Sequence, residues 1–143
     1  MVSSVTSYVS KLSELGWYSE DEEELMLLFS SLSEGLEFGQ KELISALIVP
    51  HAGYMYSGSV ALAGIKQLSS KVVKRVIVIG PSHYYSMSNR GSVLDSDFIQ
   101  TPLGKVSVCR EVVDGLLEYD FFGFDCGVHE REHSVQIEIP LIQ

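Results

Sequence analysis

The sequence predicts an α/β fold, a parallel or mixed central sheet flanked by helices, and three observations carry that prediction. Two β-branched apolar runs, 43–49 and 75–79, each lead into a proline and then a histidine, as Pro50-His51 and Pro81-Ser82-His83. Runs of this composition read as strands buried on both faces. Between them Val60, Ala61, Gly64, Ile65 and Leu68 recur at helical spacing. A helix in that place is what two parallel neighbours need as a crossover, and the crossover should be right-handed.

The elements follow in order. Residues 1–16 are serine-rich and weakly patterned. A helix is expected over 23–32, with Leu25, Leu28, Phe29 and Leu32 on one face. The acidic run Glu20-Asp21-Glu22-Glu23-Glu24 suits its first turn, where negative charge meets the positive end of the helix dipole. A loop with Gly35 and Gly39 leads to the first strand. After it comes a loop rich in glycine and tyrosine, then the crossover helix over 57–68, capped by Ser57 or Ser59. The second strand is followed by an irregular stretch over 81–91 and a short strand at 91–94. A hairpin is expected over 98–108, around the turn Thr101-Pro102-Leu103-Gly104. An amphipathic helix over 110–119 turns Val112, Val113, Leu116 and Leu117 inward, and 121–124 is an apolar link. At the end Val135, Ile137 and Ile139 alternate with Ser134, Gln136 and Glu138, which favours a strand; a helix beginning near Glu132 is the other option.

Length and composition bound the function. The 143 residues are enough for one domain with a core, and 45% hydrophobic with 20% charged residues is ordinary for a globular chain. A net charge of −9, from 10 basic and 19 acidic residues, argues against a nucleic-acid partner. No apolar run approaches the length needed to cross a bilayer. Cys109 and Cys126 form no CxxC pair and no disulfide framework. With no signal-peptide pattern at the N-terminus, the expectation is a cytoplasmic chain with no membrane partner.

The chemistry gathers at the two histidines. Carboxyl ends of parallel strands share one sheet edge, where open α/β sheets bind ligands. His51 and His83 would then face one crevice as candidate metal ligands, the alternative being two histidines that satisfy loop hydrogen bonds. Tyr54, Tyr56, Ser82 and Tyr84 are read as lining that crevice. Ser82 lacks the glycines of a nucleophile elbow and is not read as a nucleophile. His129 and His133 stand four apart, so one helix face would carry both. Their order is not that of the HExxH zinc proteases, and His133 alone is the better candidate, as a proton carrier or hydrogen-bond donor.

Taken together, Pro50-His51-Ala52-Gly53-Tyr54-Met55-Tyr56-Ser57-Gly58, Gly80-Pro81-Ser82-His83, Thr101-Pro102-Leu103-Gly104 and Glu132-His133-Ser134 resemble, in order and spacing, the Memo family. Gly16-Trp17-Tyr18 resembles that family's N-terminal aromatic motif. The resemblance runs from about residue 16 to Gln143, so the chain is expected to form a single partial domain, about the N-terminal half of a Memo-like one. It implies a fold like that of the class III extradiol dioxygenases, which are non-haem iron enzymes. By the same resemblance His51 and His83 match metal-binding histidines, with Fe(II), copper or zinc as the ion, and His133 matches a pocket histidine; the catalytic role, as proton carrier or hydrogen-bond donor, is read onto His133 here. Neither cysteine matches the family's site cysteine. Gln136 stands where relatives often have Glu, and Cys109 where Asp is common as a helix cap. Two functions follow as expectations: a metal-dependent dioxygenase-like pocket, active or vestigial, or a module that binds a small molecule or peptide without turnover. The expected partners are a ligand of one of those kinds and either a missing C-terminal half or a second copy of the chain.

Overall fold

A computed structural model describes residues 5–36, 44–68 and 73–143. The expected loop beyond residue 36 and the first residue of the expected first strand lie outside them.

The fold is α/β. Helix α1 (Glu22–Leu32) starts at Asp21, whose carboxylate accepts the Glu24 N–H at 2.9 Å. Its acidic first turn is the one expected from the dipole. Helix α1 buries Leu25 and Phe29 against helix α2 (Tyr54–Ile65), which contributes Tyr54, Ala61 and Leu62. The two helices meet closely at Gly58, where a Cβ would lie 2.8 Å from Leu32 Cδ1. Leu12, Tyr18, Ile137 and Leu141 complete this core.

Two small sheets stand beside the helices. Strand β1 (Ser7–Val9) runs parallel to β3 (Phe98–Thr101), and β3 pairs antiparallel with β4 (Gly104–Ser107). The β3–β4 hairpin turns at Pro102-Leu103 and closes with Gly104 at φ +113, a conformation that side chains resist. Strand β2 (Gly91–Val93) runs parallel to β5 (Phe122–Phe124), joined through helix α3 (Arg110–Leu117) among other segments. Cys109 occupies the N-cap position of α3 but makes no side-chain capping bond there. Helix α4 (Cys126–Glu130) is capped by Asp125, which accepts the Gly127 N–H at 3.1 Å, and α5 (Ile139–Ile142) ends the chain.

Three expectations are corrected. The runs expected as central strands take part in no ladder: among the described residues, 44–50 and 73–80 pair with no strand. Their composition suits a strand with neighbours on both sides, but the described sheets form elsewhere. Ile48 is fully exposed, and Ile77 and Ile79 are 69% and 89% exposed. The crossover helix starts a turn earlier than expected, at Gly53, and Ser57 faces inward to donate to the Ala52 carbonyl rather than capping the end. The segment 133–139 is a succession of helical turns, not a strand. Ile137 N–H bonds the His133 carbonyl, and Glu138 N–H bonds that of Val135. None of its residues is exposed, so polar and apolar residues alternate without a face in open solvent.

Candidate metal centre

Although they form no ladder, the two apolar runs deliver their histidines to one place. His51 follows Pro50 at the mouth of the loop into α2, where the run backs onto the helix: a Cβ at Gly64 would lie 2.8 Å from Val49 Cγ1. The second run passes the 133–135 turn at Gly80, where a Cβ would come 2.7 Å from Ser134 Cβ. Only a glycine permits that approach. Ser134 Oγ donates to the Pro81 carbonyl at 2.8 Å and ties the two loops. His83 and His133 arrive side by side as a result. Ring centroids are 5.3 Å apart for His51–His83, 5.7 Å for His51–His133 and 4.5 Å for His83–His133. One ring nitrogen from each of the three lies within 4.8 Å of the others, so the group can hold one metal ion.

Glu132 anchors this cluster. Its side chain is 7% exposed, and it accepts three hydrogen bonds: His83 N–H at 2.6 Å, His83 Nδ1 at 2.9 Å and Ser134 N–H at 2.9 Å. Burial alone would raise its pKa. The backbone N–H groups of His83 and Ser134, with the His83 ring, outweigh it and hold the carboxyl at about 2. His133 Nδ1 is 3.5 Å from the same carboxylate and has no hydrogen-bond partner, although it is buried. The His133 ring stacks on Trp17 at 4.2 Å and 15°. Burial, with its two neighbouring imidazoles, lowers its pKa against the opposing pull of Glu132.

The other expected pocket residues separate. Tyr56 is 89% exposed and lines an open crevice of about 580 Å³ with Trp17, Val49, His51 and His133. Tyr84 meets His133 edge-on at 6.5 Å and lies under the Arg131 guanidinium. Tyr54 is 2% exposed, packed against Tyr18 and Phe29, with its hydroxyl donated to the Ile137 carbonyl at 2.6 Å. The Ser82 hydroxyl is engaged locally, donating to the Tyr85 carbonyl at 2.8 Å. His129 stands apart from the cluster, because α4 ends before His133. Its Nε2 pairs with Ser92 Oγ at 2.9 Å. Gln136 Nε2 donates to the His129 and Glu132 carbonyls, at 2.5 and 2.7 Å, a role an ionised Glu could not fill. Sequence reasoning assigned no part to Glu132 or to the ring of Trp17. The only signal was their place inside short motifs.

These features define an α/β protein with a three-imidazole crevice backed by a buried carboxylate. The chain belongs to the Memo-like family, whose sequence pattern, described as Memo-like protein, matches residues 16–143. It is 34% identical over 127 residues to a MEMO1 family protein of Aquifex aeolicus, covering 89% of this chain and 46% of the relative. To a MEMO1 family protein of Schizosaccharomyces pombe it is 36% identical over 130 residues, covering 88% and 40%. To Protein MEMO1 of Xenopus laevis it is 34% identical over 127 residues, covering 87% and 41%. The chain thus spans less than half the length of these relatives.

Proposed function

We propose that this chain carries a divalent-metal pocket of the non-haem iron type, with His51 and His83 as ligands and His133 as a neutral base beside them. The observation that supports it is the convergence of three imidazoles from three separate loops, with ring nitrogens within 4.8 Å. Their chemistry fits. Neutral imidazole suits iron, copper and zinc, and Fe(II) sites of this type leave positions open for oxygen and substrate. With bonds of about 2 Å, donors around one tetrahedral ion sit roughly 3.3 Å apart; small ring rotations close the difference. A bound ion would supply Lewis acidity and a place for oxygen. The chain's own residues do the rest. Glu132 puts negative charge behind the imidazoles, Trp17 shields one side of the crevice, and the buried, unpartnered Nδ1 of His133 is a place to hold a proton.

Titration calorimetry with Zn(II) and Fe(II) tests this on the parent and three alanine variants. Affinity is expected to fall at least tenfold in His51→Ala and His83→Ala, and to weaken in the parent as the medium is acidified, because protons compete with the metal for its ligands. His133→Ala should retain most of the binding but lose any metal-dependent oxygen uptake with a catechol. Equal binding by all four proteins would overturn the metal reading. A second reading is favoured by the exposure of Tyr56 on the crevice wall. In it the pocket captures a small molecule or peptide without turnover, and binding persists after chelation.

The unpaired runs supply the partner. Ile48, Ile77 and Ile79 stand exposed on segments of strand composition, and more than half of each relative lies outside the match. The occupant that fits is the remainder of a Memo-like domain that the match leaves out.

A further inference from the structure

The arrangement of donors around Glu132 points to a role that a search for metal ligands passes over. We infer that Glu132 is a positioning residue that fixes His83 in the Nδ1–H tautomer and so presents Nε2 as its only free nitrogen. The inference deepens the proposed metal pocket and rests on it for its consequence, though not for its test.

Glu132 Oε2 takes the backbone N–H of His83, and Oε1 takes the backbone N–H of Ser134. Both backbone groups can only donate, so both oxygens must accept, and the carboxylate is held in one orientation. His83 Nδ1 lies 2.9 Å from Oε1. Against an ionised, fixed oxygen that nitrogen must carry its hydrogen. The lone pair of a neutral ring then sits on Nε2. A carboxylate behind a histidine in this way sets ring orientation and makes the far nitrogen a better donor to a metal. The same oxygen stands 3.5 Å from His133 Nδ1, too far to fix that ring. His83 is therefore the oriented member of the cluster.

Glu132→Ala removes the constraint. With the carboxylate gone, nothing behind the ring requires His83 Nδ1 to carry the hydrogen. The ring reverts to the Nε2–H form usual for a free imidazole, and the metal-facing atom is blocked.

The test is nitrogen-15 spectroscopy of the imidazoles in the metal-free chain, at a pH where they are neutral. In the parent His83 is expected as the Nδ1–H tautomer, against the opposite form usual for a free imidazole. In Glu132→Ala it is expected as the Nε2–H form, with Zn(II) affinity reduced 10–100-fold. A parent His83 in the Nε2–H form, or in a rapid mixture of the two, would overturn the inference even if the variant failed to fold. So would an unchanged tautomer in a folded variant. If the tautomers behave as expected but the parent and His51→Ala bind Zn(II) equally poorly, the positioning role stands and the metal pocket falls.

Discussion

Two buried carboxylates six residues apart titrate in opposite directions, and their partners explain why. Glu132 accepts three hydrogen bonds and is held at about 2, below the ordinary 4.5. Its stabilising contribution is complete above 4.5 and is lost as pH falls towards 2. Glu138 is 5% exposed, neither oxygen has a hydrogen-bond partner, and burial pushes it up to about 7. Folding favours its protonated form. The penalty is absent below 4.5, grows through the interval and is complete above about 7. For this pair the optimum lies where Glu132 is ionised and Glu138 is not, near pH 4.5. Glu138→Gln should therefore stabilise the chain by about 1–3 kcal/mol at pH 8 and change little at pH 4.5, by denaturant unfolding at both. Tyr54 and Tyr56 show how far a residue's type is legible. Both looked like crevice tyrosines, but only contact geometry reveals that one hydroxyl is committed to Ile137 and the other side chain is free in solvent.

At the level of elements, local signals were readable and non-local ones were not. The β3–β4 hairpin was visible in Thr101-Pro102-Leu103-Gly104, and the first turn of α1 in the acidic run 20–24, because turn and dipole chemistry are settled within a few residues. Strand β1 was invisible, since Ser7–Val9 becomes a strand only by lying beside Phe98–Thr101 far along the chain. The alternation over 134–139 misled for a related reason. Period-two patterning marks a strand only when one face meets water, and this segment has no such face. The convergence of His51 and His83 was inferred from strand ends. What secures it is the approach at Gly80, which no pattern announces. Gly80→Ala should lower stability and Zn(II) affinity together, because the new Cβ pushes Ser134 and the Glu132 carboxylate away from His83. Gly115→Ala is the contrasting case. It lies within α3 with nothing inside 4 Å of a new Cβ, so it should stabilise by about 0.5–1 kcal/mol in thermal unfolding and leave metal affinity alone.

For the whole molecule, the decisive feature is surface that resembles interior. Among the described residues, no helix is long and apolar enough to cross a membrane, yet Ile48, Ile77 and Ile79 are laid open on segments without ladder partners. Unpaired backbone beside exposed β-branched side chains is a template for another strand. Sedimentation at micromolar concentration is expected to show association of the chain alone. Co-expression with a polypeptide corresponding to the unmatched part of a Memo-like relative should replace it with a discrete one-to-one complex. A dispersed monomer that ignores that polypeptide would remove the partner from the account. The overall class was legible because helical spacing and the hairpin turn carry it. The extent of pairing was not, because it depends on what lies beside each run.

The stacking of Trp17 on His133 has a photophysical consequence. The chain has a single tryptophan, and its indole lies 4.2 Å from an imidazole of the candidate centre. An excited indole in such contact is sensitive to the electronic state of its neighbour. The indole emission of the unlabelled protein is therefore a signal from one place only, and that place is the wall of the crevice. A change in brightness or colour on adding an ion or a ligand reports an event within a few ångströms of His133, with no second fluorophore of its kind to dilute it.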